Sequence, residues 1–398
     1  MNVWLIEPLD PLIARDGRPA AVGRFDTVAF PYPSMVAGAV RTRMGSQNGA
    51  FSLPSSALGE LKEKVIVQGP LLGELCSNCG VVRQWLAPAP QDAVFLRDDG
   101  GCVSLKRLIP RPLDPGEAMD SIGEQGLVPL GYQGAETYGK PPKGVPSFWN
   151  WSDFEAWLTT PGDRTGVDLS SLGTGHLPVE TRTNLALQPG ERVGIDGMLF
   201  QTSGLRFLQK GESRLSPRRF ALSLRCQGAI VDGRELALNE QIAPLGGERR
   251  LARWSSASQE WPRMPDAIRE SIVATSRARL ILLTPAIFAN GAVPGWSGHA
   301  WPLGGPVTAG VHAVSVQRPA VVSGWDLAAK NESGKAGRPK KTRRLAAAGT
   351  VYFLHLSGTK EDIRQWCEKA WLGCVSDDAQ DRGDGFGLAV LGTWEEVQ

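Results

Sequence analysis

Glycine and proline interrupt this chain so often, at 47 and 29 of 398 residues, that it has little room for long helices. Glycine costs an element backbone entropy, and proline removes an amide donor. Short elements joined by many turns follow. The length exceeds what one hydrophobic core usually organises, which favours two domains or one domain with large insertions. Hydrophobic residues are 42% and charged residues 21%, whereas a disordered chain would show few apolar residues and a large net charge. An α+β fold is expected.

No run approaches the roughly 18 apolar residues of a membrane span. The start, Met1-Asn2-Val3-Trp4-Leu5-Ile6-Glu7, has neither a basic region nor a cleavage site. Both point to the cytoplasm, as do six scattered cysteines, which suit a reducing compartment. Cys76 and Cys79 have half of a zinc-site spacing, but no second Cys or His pair follows at the customary distance. Cys102 and His176 could complete such a site only through the fold, so no metal or other cofactor is expected.

Periodicity places the elements. Met1 to Ile13 alternates as an opening strand and leads into the polar loop Arg15-Asp16-Gly17-Arg18-Pro19. Ser34 reads as the N-cap of a helix over 35–44 whose first amides suit an anion and whose end carries Arg41 and Arg43. Val65 to Leu72 reads as a strand, and 76–204 as a long, proline-punctuated, irregular insertion with a short ordered piece over 152–158. Strands are expected over 220–226, 279–284, 310–322, 350–356 and 386–394, with a helix over 360–372. These pieces suffice for ferredoxin-like sheets with helices on one face. The expected division is an N-terminal domain over 1–235, containing the insertion, and a C-terminal domain over 236–398.

A formal charge of +2 does not announce nucleic-acid binding, which depends on local basic clusters. The densest is Lys335, Arg338, Lys340, Lys341, Arg343 and Arg344; smaller ones are Arg214, Arg218 and Arg219, and Arg249, Arg250 and Arg253. A basic run is also what an ordinary solvated loop looks like. Gly383-Asp384-Gly385-Phe386-Gly387 is no dinucleotide fingerprint, because a strand and not a helix is expected after it. Glycines there let backbone amides approach a phosphate chain, although an ordinary turn reads the same way. Of the four histidines, only His176, in a glycine-rich loop, is a candidate general base, and no partner motif accompanies it.

Several short segments, in order along the chain, carry a resemblance. They include Glu7-Pro8-Leu9-Asp10-Pro11-Leu12, Pro33-Ser34-Met35-Val36-Ala37-Gly38-Ala39-Val40-Arg41, Gly69-Pro70-Leu71-Leu72, Trp85-Leu86-Ala87-Pro88-Ala89-Pro90, Gly246-Gly247-Glu248-Arg249, Leu283-Thr284-Pro285-Ala286-Ile287-Phe288, Gly349-Thr350-Val351-Tyr352-Phe353 and Gly385-Phe386-Gly387. Together they resemble the family of third subunits of the Cmr assembly, the type III-B CRISPR effector. The resemblance implies two ferredoxin-like domains, a grip on the 5′ tag of the crRNA, and contacts with the large polymerase-cyclase-like subunit and the first backbone subunit. It matches Arg15 and Arg18 to the family's early basic loop, Ser34, Gly38 and Arg41 to its first helix, and Gly385 and Gly387 to its glycine-rich loop.

The expected function is therefore a non-catalytic, RNA-binding subunit that holds crRNA. Its expected contacts are Arg15, Arg18, Ser34, Gly38, Arg41, Arg43, Lys340, Lys341, Arg343, Arg344, Gly385, Phe386 and Gly387. The early loop, the helix start and the glycine loop should meet on one surface. The alternative is a metal-independent endoribonuclease that processes crRNA with His176 as its base.

Overall fold

A computed structural model of the chain describes all residues except 16–23, 48, 77–79, 114–115, 117–125, 135–138, 192, 214–215, 331–335 and 395–398. Arg18, Cys79, Arg214 and Lys335 thus lie outside the described residues. The chain is strand-rich, with several antiparallel sheets and short helices. It groups into two compact units, each made of three segments: 1–84, 176–260 and 321–343 in the first, and 85–175, 261–320 and 344–398 in the second. The sequence suggested a single cut after residue 235 instead. Pairing of distant strands draws each unit from separated segments, which a composition scan does not register.

The first unit is built on an antiparallel sheet in which Asn2–Pro8 pairs with Ser216–Cys226 on one side and Leu251–Ser256 on the other. Val67–Leu75 extends it beyond Ser216–Cys226, and Gln241–Pro244 beyond Leu251–Ser256. Ile6 lies opposite both Leu222 and Trp254, and because side chains alternate faces along a strand, the three form one layer. All are at most 1% exposed. The helix Pro33–Met44 packs on Val67–Leu75 through Val36, Ala37 and Val40, all fully buried. Each such valine contributes about 1.5–3 kcal/mol of burial. Tyr32, and not Ser34, is the N-cap, with Pro33 in the first helical position. Proline's fixed φ suits that position, and its missing amide is one that a helix start leaves unpaired in any case.

Four strands of this sheet, numbered along the chain, run second, third, first, fourth across it. The first crossover carries the helix Pro33–Met44, whereas the crossover from 226 to 251 carries a short hairpin, Ala229–Val231 with Arg234–Leu236. A long hairpin of Val179–Leu187 and Gly194–Leu205 also belongs to this unit. Leu185, Leu187, Val193, Met198 and Leu199 near its turn are each 49–64% exposed.

The second unit repeats the same order with Arg277–Leu282, Thr308–Ser315, Val351–Ser357 and Leu388–Gly392, all neighbours antiparallel. Here the second crossover holds the helix Lys360–Ala370, started by a capping box between Thr359 and Asp362. The first crossover, 283–307, has no helix; its counterpart, Asp266–Thr275, precedes the first strand and packs on Lys360–Ala370. Each sheet thus has one crossover without the helix that a complete strand-helix-strand-strand-helix-strand unit requires.

Two further expectations change. Segment 76–204 is not irregular: it contains Val82–Pro88, Ala93–Arg97, Val103–Pro110, the helix Trp151–Thr159 and the long hairpin. Val103–Pro110 alternates buried and half-buried positions throughout, but Arg107 on a buried position and Leu108 on a half-buried one mask that period in the sequence. The strand expected over 310–322 ends at Ser315 and resumes at Ala320, with Pro319, which has no amide to donate, between the two pieces.

At the centre of the second unit, Arg279 and Asp92 form an ion pair with both side chains at 0% exposure. Arg279 also donates to the carbonyls of Thr393 at 2.7 Å and of Trp157 at 2.6 Å. The Trp157 indole donates to Asp92 at 2.9 Å. Gly392 lies opposite Arg279, where an added Cβ would stand 2.9 Å from its Nη2. Removing one partner strands a buried charge, so Arg279→Met should cost about 3–5 kcal/mol, read as a lower urea midpoint. Adding an apolar replacement of Asp92 should restore part of the loss. Burial also pushes the Cys226 and Cys367 thiols up to about 12, whereas Cys102 is exposed. The thiolate is the reacting form. At pH 8, iodoacetamide should therefore label Cys102 well before Cys226 and Cys367, as followed by mass spectrometry.

Candidate nucleic-acid interface

The arginines on the helix Pro33–Met44 face inward. Arg41 is 8% exposed, with Nε 3.2 Å and Nη2 2.9 Å from the carbonyl of Val65, and Nη2 3.3 Å from that of Lys62. Those carbonyls close the helix Leu58–Lys64, whose last turn has no further amides to satisfy them. Arg41 is thus a buried cap on a neighbouring helix, a role the sequence reading did not assign it. Arg43 donates from Nη2 to Asn239 at 2.7 Å, and burial holds its guanidinium below the usual arginine range. Ser34 is half-buried in the second helical position. Gly38 is exposed, and an added Cβ would meet nothing within 4 Å. The protein's own packing does not require glycine there.

The glycine loop is likewise turned to internal use. The amides of Gly385, Phe386, Gly387 and Leu388 donate to Arg382 O at 3.1 Å, Asp381 O at 3.0 Å, Pro285 O at 2.8 Å and Thr284 Oγ1 at 2.9 Å. Gly385 and Gly387 are buried, and Phe386 is 0% exposed. Its amide donors are engaged and its backbone is covered by the chain itself. Glycine is needed at 387 because φ is +81° and a Cβ would stand 2.8 Å from the Ser376 amide. The loop lies in the second unit, while Arg15 and the helix Pro33–Met44 lie in the first.

The basic run is more ordered than a loop. Trp325–Lys330 pairs with Ala336–Pro339, setting Asp326 opposite Arg338. The Lys340 amide donates to Gly324 O at 2.8 Å. Arg338, Lys341 and Arg344 are exposed, while Lys340 and Arg343 are half-buried.

Among the expected residues, Arg15 has an exposed side chain, at 44%, directly after a built support. The chain just before it is clamped on both sides. Leu12 and Leu205 exchange backbone hydrogen bonds at 2.9 and 2.8 Å, and the Gly247 amide donates to Ile13 O at 2.8 Å. A Cβ at Gly246 would stand 2.6 Å from Ile13 O, so glycine is what lets the two segments touch. The clamp brings the turn Gly246-Gly247-Glu248-Arg249-Arg250 beside Arg15: Glu248 lies 3.9 Å from Arg15 and 3.1 Å from Arg250, and Arg249 is exposed next to them. On the other side, at the base of the long hairpin, Arg182 and Arg206 share Glu180 at 2.6 and 3.5 Å. The signal for this grouping was the basic cluster 249–253, but its adjacency to Arg15 comes from strand pairing alone.

Among the described residues, no group of three or more His, Cys, Asp or Glu side chains could hold a metal ion. His176 and His299 are exposed, and the His312 and His355 rings lie 4.6 Å apart beside Trp394. No helix among the described residues is long and apolar enough to cross a membrane.

If the glycine loop serves packing, Gly387→Ala should lower the unfolding midpoint by an amount equivalent to about 1–3 kcal/mol. RNA affinity per folded molecule, measured by fluorescence anisotropy, should stay unchanged.

The family model described as CRISPR-associated protein (Cas_Cmr3) matches residues 4–394. No curated protein matches the chain. It is similar to chains of two solved structures, the cryo-EM structures of the Type III-B Cmr-beta bound to cognate target RNA, one of them also with AMPPnP in state 1. With AMPPnP the TM-score is 0.40 at 11% identity, and without it 0.39 at 13%. Each covers 88% of this chain and 86% of the other. Overlaps this loose carry no residue roles across. The family match, which spans nearly the whole length, places this chain in the CRISPR-associated Cmr3 family.

Proposed function

We propose that this chain is a non-catalytic, RNA-binding subunit of a type III-B CRISPR effector complex, in which it holds the 5′ tag of the crRNA and docks the large polymerase-cyclase-like subunit and the first backbone subunit. Family membership supports the setting. Its two sheets, with their shared strand order, read as variants of the ferredoxin-like pattern in which one helix of each has been replaced or displaced.

The observation that carries the RNA-binding reading is the grouping of Arg15, Arg249 and Arg250 around a clamped glycine turn. Guanidinium groups present a planar fork of donors that matches phosphate oxygens in pairs, and a rigid support keeps that fork in place before ligand arrives. The run from Arg338 to Arg344 adds sequence-independent attraction. The exposed apolar residues of the long hairpin suit a subunit that covers them with a partner.

Two measurements test this reading. Changing Arg15 and Arg249 together to Ala should weaken binding of a tag-containing RNA and lower the salt slope by roughly 0.7 for each phosphate that is no longer neutralised. Changing Lys340, Lys341, Arg343 and Arg344 to Ala should act in the same direction, and an unchanged slope for both sets would overturn the reading. To decide against the endoribonuclease alternative, His176→Ala should leave crRNA maturation and target cleavage by the assembled complex nearly intact. A general base contributes about 10²–10⁴-fold in rate, so a loss of that size with assembly preserved would establish the enzyme instead.

A further inference from the structure

Glu248 is out of place on a surface meant for phosphate. It is a carboxylate set among arginines, and its backbone has φ 55° and ψ 25°, followed by Arg249 at φ 51°. Consecutive left-handed residues other than glycine are uncommon and persist only where the surroundings dictate them. Here the surroundings do: Gly246 and Gly247 press on Ile13, and Leu245 N donates to Arg250 O at 2.7 Å across the turn. The result aims one carboxylate at two guanidinium groups, with Oε2 3.1 Å from Arg250 and Oε1 3.9 Å from Arg15.

This arrangement is poorly suited to a purely structural role. The Glu248 side chain is 36% exposed, that of Arg15 44% and that of Arg250 22%, and ion pairs with one partner this open to water typically add about 1 kcal/mol or less to stability. The Arg15 contact, at 3.9 Å, lies at the outer limit of an ion pair. A carboxylate and a phosphodiester offer the same feature to a guanidinium, two oxygens sharing negative charge. We infer that Glu248 is a built-in competitor for the phosphate site formed by Arg15, Arg249 and Arg250, occupying the guanidinium groups until an RNA phosphate displaces it. The inference rests on the RNA-binding reading above. It assigns Glu248 the role of setting the affinity and salt dependence of that site: the carboxylate lowers affinity for RNA by an increment that each bound phosphate must exceed.

The test uses the full chain and a fluorescent single-stranded RNA carrying the tag, titrated by anisotropy at several salt concentrations. Glu248→Gln should tighten binding by about two- to fivefold, the change that a surface ion pair of this kind corresponds to. It should have no such effect in an Arg15→Ala, Arg250→Ala background. Glu248→Gly removes the carboxylate and also suits φ 55°, so it should fold at least as well and tighten binding similarly. If Arg15→Ala weakens binding while both Glu248 variants leave it unchanged or weaken it, the competitor role is overturned and the RNA-binding reading survives. If RNA binds and neither Arg15→Ala nor Arg249→Ala alters it, the site itself is wrong and the inference falls with it.

Discussion

One guanidinium holds the second unit together. Arg279 lies on the central strand, Asp92 and Trp157 come from the first segment of that unit, and Thr393 comes from its last. Two opposite charges can be buried at 0% exposure only when each is neutralised and hydrogen-bonded. The network therefore forms only when three distant stretches of chain are in place together. Tertiary dependence of this kind is costly to break and contributes specificity more than net stability. Gly392 has the same origin, because a side chain there would meet the guanidinium.

The first unit turns on a close approach. Residues 11–13 pass between the base of the long hairpin and the Gly246-Gly247 turn, with backbone hydrogen bonds on both sides. That clamp makes a charged surface out of residues more than 200 positions apart in sequence. Burial separates several uses of arginine among the described residues. Arg279 neutralises a core carboxylate, Arg41 caps a helix, and Arg15 and Arg249 remain open to solvent. Exposure differs this widely among arginines that look alike in the sequence, so charge density along the chain is a poor guide to which of them face solvent.

The long hairpin is a different kind of constraint. Strands standing away from a core leave both faces exposed, and large apolar side chains on them lose the burial that would otherwise stabilise them. Under the proposed function, a partner in the assembly would supply the missing cover. The two sheets share one strand order but place their helices differently. The common constraint is antiparallel pairing around a central first strand, and the crossovers are free to vary because they lie outside it.

The sequence by itself determined the class of fold and most strands with a clear period of two. Phe220 to Cys226, Arg279 to Leu282 and Val351 to Leu356 are strands in the structure, because alternation reports burial directly and needs no partner to be read. It also determined the helix Lys360–Ala370, whose capping box is local. Segment 76–204 was illegible in part because Arg107 on a buried position and Leu108 on a half-buried one invert the period of its strand. The candidate site was legible only in part. Arg15 stands out as a basic residue in a loop, but Glu248 becomes its neighbour through contact of Gly247 with Ile13. Gly385 to Gly387 and Arg41 read as phosphate contacts in the sequence, and in the folded chain they are buried with their donors hydrogen-bonded internally. Whether an amide or a guanidinium is open to a ligand depends on which acceptors the rest of the chain brings to it, and only the folded chain decides that.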